Sequence, residues 1–175
     1  MSAQGDDIRN MLEAFVELAR RTMKSPTPSG YYGIADLLLD RGCEMPVSRM
    51  KVPCGMLGDC YMNAQRAALG TDLDYAEGYA CFATPIPIMH AWCVNKRGSV
   101  IDPTWCQPRT PEGAAEIGGK RTYFGVVIEK DYVRMMQLKT GKYIAVLEDF
   151  ESTIALMNSA ELVEEMIRRC RRLAR

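Results

Sequence analysis

Residues 88–105 read Ile88-Met89-His90-Ala91-Trp92-Cys93-Val94-Asn95-Lys96-Arg97-Gly98-Ser99-Val100-Ile101-Asp102-Pro103-Thr104-Trp105, and their reading decides the fold. Ile88, His90, Trp92 and Val94 alternate, which puts them on one face of a strand. Lys96-Arg97-Gly98 spells a tight hairpin turn, with Gly98 supplying the positive φ that a three-residue connection needs. Residues 99–102 form the return strand. Asn95 then faces Ser99, and counting outward sets Trp92 opposite Asp102. His90 and Asp102 share a face as diagonal neighbours, about 7–8 Å apart at the backbone and within reach of each other's side chains. A turn one residue longer would send them to opposite faces. His90 is the only histidine in the chain, so any imidazole chemistry runs through it.

Upstream stands Gly58-Asp59-Cys60-Tyr61-Met62-Asn63-Ala64. The spacing predicts a helix over 60–69, closed by Gly70 and capped at its start by Asp59 or Gly58, with Cys60 in the first turn. Its face of Cys60, Ala64, Ala67 and Ala68 is made of small residues, so the helix axis can approach a sheet closely. Residues 42–59, with Pro46, Pro53, Gly55 and Gly58, read as a long loop delivering Cys60, and long loops in compact domains tend to be functional.

Further out, residues 6–23 carry the helical stripe Ile8, Met11, Leu12, Phe15, Val16 and Ala19. A short helix is expected over 34–40, strands over 74–82 and 123–129, an exposed loop over 112–120, a helical turn over 131–138 and a strand over 142–147. The last helix is expected over 159–174, opened by an Asn158–Glu161 capping box. Leu162, Val163, Met166, Ile167, Cys170 and Leu173 form its buried stripe, and Glu164–Arg168 and Glu165–Arg169 its i,i+4 pairs. The result is one α+β domain over 1–175, with its core at 42–147 and flanking helices at 6–23 and 159–174.

Composition narrows the function classes. Lys plus Arg and Asp plus Glu number 22 each, so no net field recruits nucleic acid or anionic lipid. No apolar run approaches the roughly 20 residues that cross a bilayer. The start is polar and acidic, unlike the basic flank of a secretory signal. Seven cysteines, an odd count without regular spacing, favour reduced thiols and a cytoplasmic setting. No Cys-x2-Cys pair occurs, so neither metal nor cofactor is expected.

Cys60, His90 and Asp102 together spell a thiol nucleophile, a base near neutral pH and a carboxylate to orient the base. The imidazole and the helix N-terminus both favour the thiolate of Cys60. The Cys60 N–H is a natural oxyanion donor, with a second expected around 56–58.

Gly-x-Cys opening a helix, His-Ala-Trp on a strand and Ile-Asp-Pro-Thr-Trp on the next resemble the core of the transglutaminase-like branch of papain-like cysteine enzymes, over about residues 58–128. The resemblance implies a central Cys-bearing helix packed on an antiparallel sheet bearing His and Asp. It implies Cys60 as nucleophile, His90 as base and Asp102 as orienter, attacking an amide or ester carbonyl of a peptide or protein substrate through a thioester. Gly58, Asp59, Asn63, Trp92 and Trp105 are the oxyanion and cleft candidates. Trp92 reads first as core, Trp105 as a wall of the cleft, and Asn63 as a bond to the preceding loop. Hydrolysis is the leading outcome. Acyl transfer to an amine and a catalytically idle interaction module are the alternatives, and a redox thiol protein with a Cys54–Cys60 bridge is a third reading.

Overall fold

A computed structural model describes residues 3–50, 52–81, 86–106 and 121–168. The described elements are α1 (Ala3–Thr22), α2 (Ile34–Arg41), β1 (Cys43–Met45), α3 (Cys60–Leu69), β2 (Asp74–Cys81), β3 (Ile88–Val94), β4 (Val100–Ile101) and β5 (Thr122–Ile128), then α4 (Lys130–Thr140), α5 (Phe150–Asn158), α6 (Ala160–Met166) and β6 (Ile167–Arg168). The class is α+β. The expected loop at 112–120 lies outside the described residues, as do Arg169, Cys170 and Leu173.

The sheet runs β1-β5-β2-β3-β4, with β6 also on β5, and every strand pair is antiparallel. Past β1 the chain returns to the opposite edge: Val47 bridges Val100, the Ser48 amide donates to the Val100 carbonyl at 2.8 Å, and the Val100 amide to the Pro46 carbonyl at 2.8 Å. The sheet is thereby curled onto itself. Two glycines in register allow the tight curl. Gly78 faces Gly125 across β2 and β5, and a Cβ on Gly125 would lie 2.2 Å from the Glu77 carbonyl oxygen and 2.7 Å from the Trp92 ring.

Alternation sorts the side chains into two cores. Met45, Ala76, Ala80, Trp92, Val94, Val100 and Tyr123 fill the concave side. The convex side takes Tyr75, Ala91, Cys93, Phe124, Val126 and Ile128, covered by Ile8 and Leu12 of α1, Leu37 and Leu38 of α2 and Ala64 and Ala68 of α3. The small face of α3 is buried as its sequence implies, although Phe15 of α1, assigned to the apolar stripe, is largely exposed. Among the described residues, no helix is long and apolar enough to cross a membrane.

Four readings change. The region expected as one long loop contains β1, whose three residues pair with β5. Residues 142–147 form no strand, because the Val146 and Leu147 amides donate to the buried Glu77 carboxylate rather than to a neighbouring strand. The last helix is shorter: Ser159, not Asn158, caps it by accepting from the Leu162 amide, and after Met166 the chain turns extended to pair with β5. Its Glu164 binds Arg41 in place of Arg168, which reaches Asp74 at 2.8 Å and Glu129 at 2.6 Å.

The thiols are not uniformly reduced either. Cys54 and Cys106 form a disulfide with their Cα atoms 5.9 Å apart. An odd count along the chain carries no information about which loops meet in space. The pairing removes the thiol argument for a cytoplasmic setting, and it occupies the partner that a Cys54–Cys60 bridge would need.

Candidate active site

Cys60 is the first residue of α3 and is half-buried. Asp59 is the N-cap, without a side-chain cap bond, and the helix closes its first turn with the Asn63 amide on the Asp59 carbonyl at 2.9 Å. The N–H groups before Asn63, that of Cys60 included, have no acceptor within the helix. The helix axis sits close to the sheet, as the Cys93 thiol donating to the Ala64 carbonyl at 3.3 Å shows.

His90 and Asp102 reach each other through the hairpin counted from the sequence. Val94 pairs with Val100 and Cys93 with Ile101, Gly98 has φ 74°, and the Asn95 carboxamide oxygen accepts the Arg97 and Ser99 amides at 2.9 and 3.0 Å. Imidazole Nε2 and Asp102 Oδ2 are 2.8 Å apart. The Cys60 side chain lies beside the same ring, close enough to act on the imidazole. All three side chains therefore meet, from the start of a helix, the middle of a strand and the turn after a strand.

Asp102 is held from four directions. Oδ1 accepts the Thr104 amide at 2.7 Å and the Trp105 amide at 3.0 Å, while Oδ2 accepts the Tyr123 hydroxyl at 2.8 Å beside the imidazole. Burial pushes this carboxyl's pKa up, but His90 and the two amides outweigh it and hold it below the usual value. For His90, burial disfavours the charged ring. The bond to Asp102 with its negative charge, helped by the neighbouring Cys60, outweighs that and raises the imidazole to about 9. Trp105 lies flat on the ring at 3.9 Å between centroids and 10° between planes, closing one face of the imidazole to water.

The cleft candidates separate. Gly58 is exposed with φ 94°, in the left-handed region, one residue before the N-cap. Asn63 is buried, and its Nδ2 is used on the Met56 carbonyl at 2.7 Å and the Thr104 hydroxyl at 3.1 Å. It holds the loop and is not free to receive an oxyanion. Trp92 does not line the cleft. It is fully buried in the concave core, with its Nε1 on the Met45 sulfur at 3.4 Å, because the tight curl closes the sheet around it.

Four contributors escaped the sequence reading. Tyr123 lies on a strand the sequence marks, yet only the strand order brings that strand to Asp102. The Cys54–Cys106 disulfide and the Gly55 amide, which donates to the Pro103 carbonyl at 2.7 Å, join the Cys60 loop to the Asp102 turn. Behind α3, Glu77 is wholly buried and accepts the Tyr75 hydroxyl at 2.5 Å and the Val146 and Leu147 amides at 2.7 and 2.8 Å. Among the described residues no group of three His, Cys, Asp or Glu side chains could hold a metal ion.

Comparison with known proteins brings no family match, no curated relative and no similar solved structure.

Proposed function

We propose that this chain is a cysteine hydrolase acting on a peptide or side-chain amide, built on a papain-like core of the transglutaminase-like type. The observation that carries the reading is the shared imidazole: one buried ring bonded to Asp102 through Nε2, with the Cys60 side chain at the start of α3 close enough to act on it. A structural histidine needs one partner of this kind. A base that must take a proton from sulfur and return it to a leaving group needs both.

The proposed cycle uses only these groups. The Cys60 sulfur attacks the substrate carbonyl, its proton passing to His90, and the oxyanion is received by the first-turn N–H of Cys60. The imidazolium then gives its proton to the departing amine as the carbon–nitrogen bond breaks, leaving a thioester. A water molecule, deprotonated by His90, adds to the thioester, and the acid leaves as the sulfur regains its starting state. Asp102 keeps the ring in one tautomer and orientation throughout. Leu57, three residues before Cys60, and Ile88, on the same strand face as His90, are 47% and 48% exposed, so the flanks of the site favour a substrate with apolar side chains.

The test joins labelling to turnover. Iodoacetamide should modify Cys60 well ahead of Cys81 and Cys93, which are buried. A library of fluorogenic peptide amides should be cleaved by the wild type and left intact by Cys60→Ala. Equal labelling of the three thiols, or cleavage surviving in Cys60→Ala, overturns the proposal. Incorporation of an added primary amine in place of water would reassign the activity to acyl transfer.

A further inference from the structure

The Asp102 carboxylate does not end the hydrogen-bond chain. Its Oδ2 takes the Tyr123 hydroxyl at 2.8 Å in addition to the imidazole, and the Arg121 side chain is near enough to act on that same hydroxyl. Tyr123 is fully buried, wedged against the Trp92 ring at 5.2 Å between centroids and the Trp105 ring at 6.2 Å. Burial, then the charge of Asp102 and the bond to it, push the phenol's pKa far up, so the group stays a neutral O–H that donates to Asp102, with the Arg121 charge nearby acting in the opposite direction. His90, Asp102 and Tyr123 thus form one hydrogen-bonded line, with the half-buried Cys60 beside one end and the Arg121 guanidinium, just before β5, beside the other.

We infer that Tyr123 is a positioning residue of the site, which together with Arg121 fixes the plane of the Asp102 carboxylate and limits how strongly that carboxylate binds the imidazolium. This rests on the reading of His90 and Asp102 as the working pair. The physical reason lies in the competition at one oxygen. Each donor on Oδ2 draws on the same electron density, so the tyrosine hydroxyl, polarised by Arg121, weakens the pull of Asp102 on His90. A base that cycles its proton twice per turnover must not hold it too tightly. Among the described residues, the charged and titratable groups around the ring are Cys60 from α3, Asp102 from the turn after β4 and Tyr123 from β5, with Arg121 behind it; the stacked Trp105 does not titrate.

His90 being the only histidine makes the inference readable without a substrate. In the untagged full-length chain, one imidazole Cε1–H resonance reports the ring. Its midpoint is expected near 9 in the wild type. Tyr123→Phe keeps the packing and removes only the donor, and should raise that midpoint by about half to one pH unit, the worth of one hydrogen bond. Arg121→Gln should move it the same way by less, and Cys60→Ala should lower it. With a peptide substrate, Tyr123→Phe should lower kcat several-fold at little change in KM and carry the alkaline limb of the pH profile upward. A midpoint unmoved in both Tyr123→Phe and Arg121→Gln overturns the inference. A midpoint that moves in Tyr123→Phe but not in Cys60→Ala keeps it and removes the thiol–imidazole pair instead.

Discussion

Asn63 Nδ2 donates to Thr104 Oγ1 at 3.1 Å, tying the helix that begins with Cys60 directly to the turn that holds Asp102. The same Nδ2 also donates to the Met56 carbonyl, and a Cβ on Gly55 would lie 2.0 Å from Asn63 Oδ1, so loop, helix and turn meet at one amide group.

Asn63→Ala should therefore cost about 1–3 kcal/mol in chemical denaturation, the range for orphaning buried polar partners. Gly55→Ala should cost a similar amount by driving a methyl group into that carboxamide. Because both disturb one contact, the double variant should lose clearly less than the sum of the two. Additive losses would show that Asn63 and Gly55 act separately and that the seam is not one unit.

The Cys54–Cys106 disulfide crosses the same seam and closes a loop with a sequence separation of 52. A cross-link of that span stabilises by about 4 kcal/mol through restriction of the unfolded chain. Cys54→Ser with Cys106→Ser should lower the thermal midpoint by many degrees, and a dithiol reductant should do the same to the wild type. Peptide mapping without reduction should recover the two residues linked. Their recovery as separate thiols from unreduced protein would remove the disulfide and the stabilisation argued from it.

The hairpin was legible because everything that decides it is local. Three turn residues set the register, and register alone sends His90 and Asp102 to one face. The start of α3 was legible for the same reason, since a cap, a run of small residues and a closing glycine lie within eleven positions of one another. What lay hidden depends on strand order. Tyr123 sits 21 residues beyond Asp102, and nothing in the intervening text says that β5 crosses to the far side of β2. Glu77 reads as the polar member of an alternating strand, and its burial follows only once residues 144–147 fold over it. Trp92 stood among the cleft candidates but read first as core, and the curl of the sheet places it in the core.

Glu77 makes a sharp prediction about that covering segment. Its carboxylate is the acceptor for the Tyr75 hydroxyl and for the Val146 and Leu147 amides. Glu77→Ala orphans all three, and at about 1–3 kcal/mol for each buried donor the loss should be at least about 3 kcal/mol. Hydrogen exchange at Val146 and Leu147 should accelerate well before global unfolding. Glu148, next along the chain, is hydrogen-bonded to Tyr61 beside Cys60, so the loosened segment should also lower turnover. Unchanged protection at those two amides would mean that other contacts hold the segment down.

The dependence of stability on pH follows from three buried groups of different sign. Asp102 is held below its ordinary 3.8, so its contribution is present above that value and is lost as the pH falls through the lower folded one. Glu77 is pushed by burial from 4.5 to about 7 against the pull of its three donors. A carboxyl raised in this way favours the folded state below 4.5, and that advantage fades as the pH climbs through 7. His90, raised from 6.5 to about 9, contributes fully below 6.5 and loses its contribution as the pH rises through 9. These groups thus place the maximum on the acid side of neutrality, with a decline in two stages above it. Thermal midpoints from pH 3 to 10 check the shape. Asp102→Asn should flatten the stage between 6.5 and 9, because His90 then loses the anion that holds its proton. Glu77→Gln should be most damaging below pH 4.5 and approach the wild type above 7, where the native carboxylate bears its full cost of burial. A wild-type maximum above pH 8 would contradict both assignments at once, since neither raised group could then be bound to its proton more tightly in the fold than out of it.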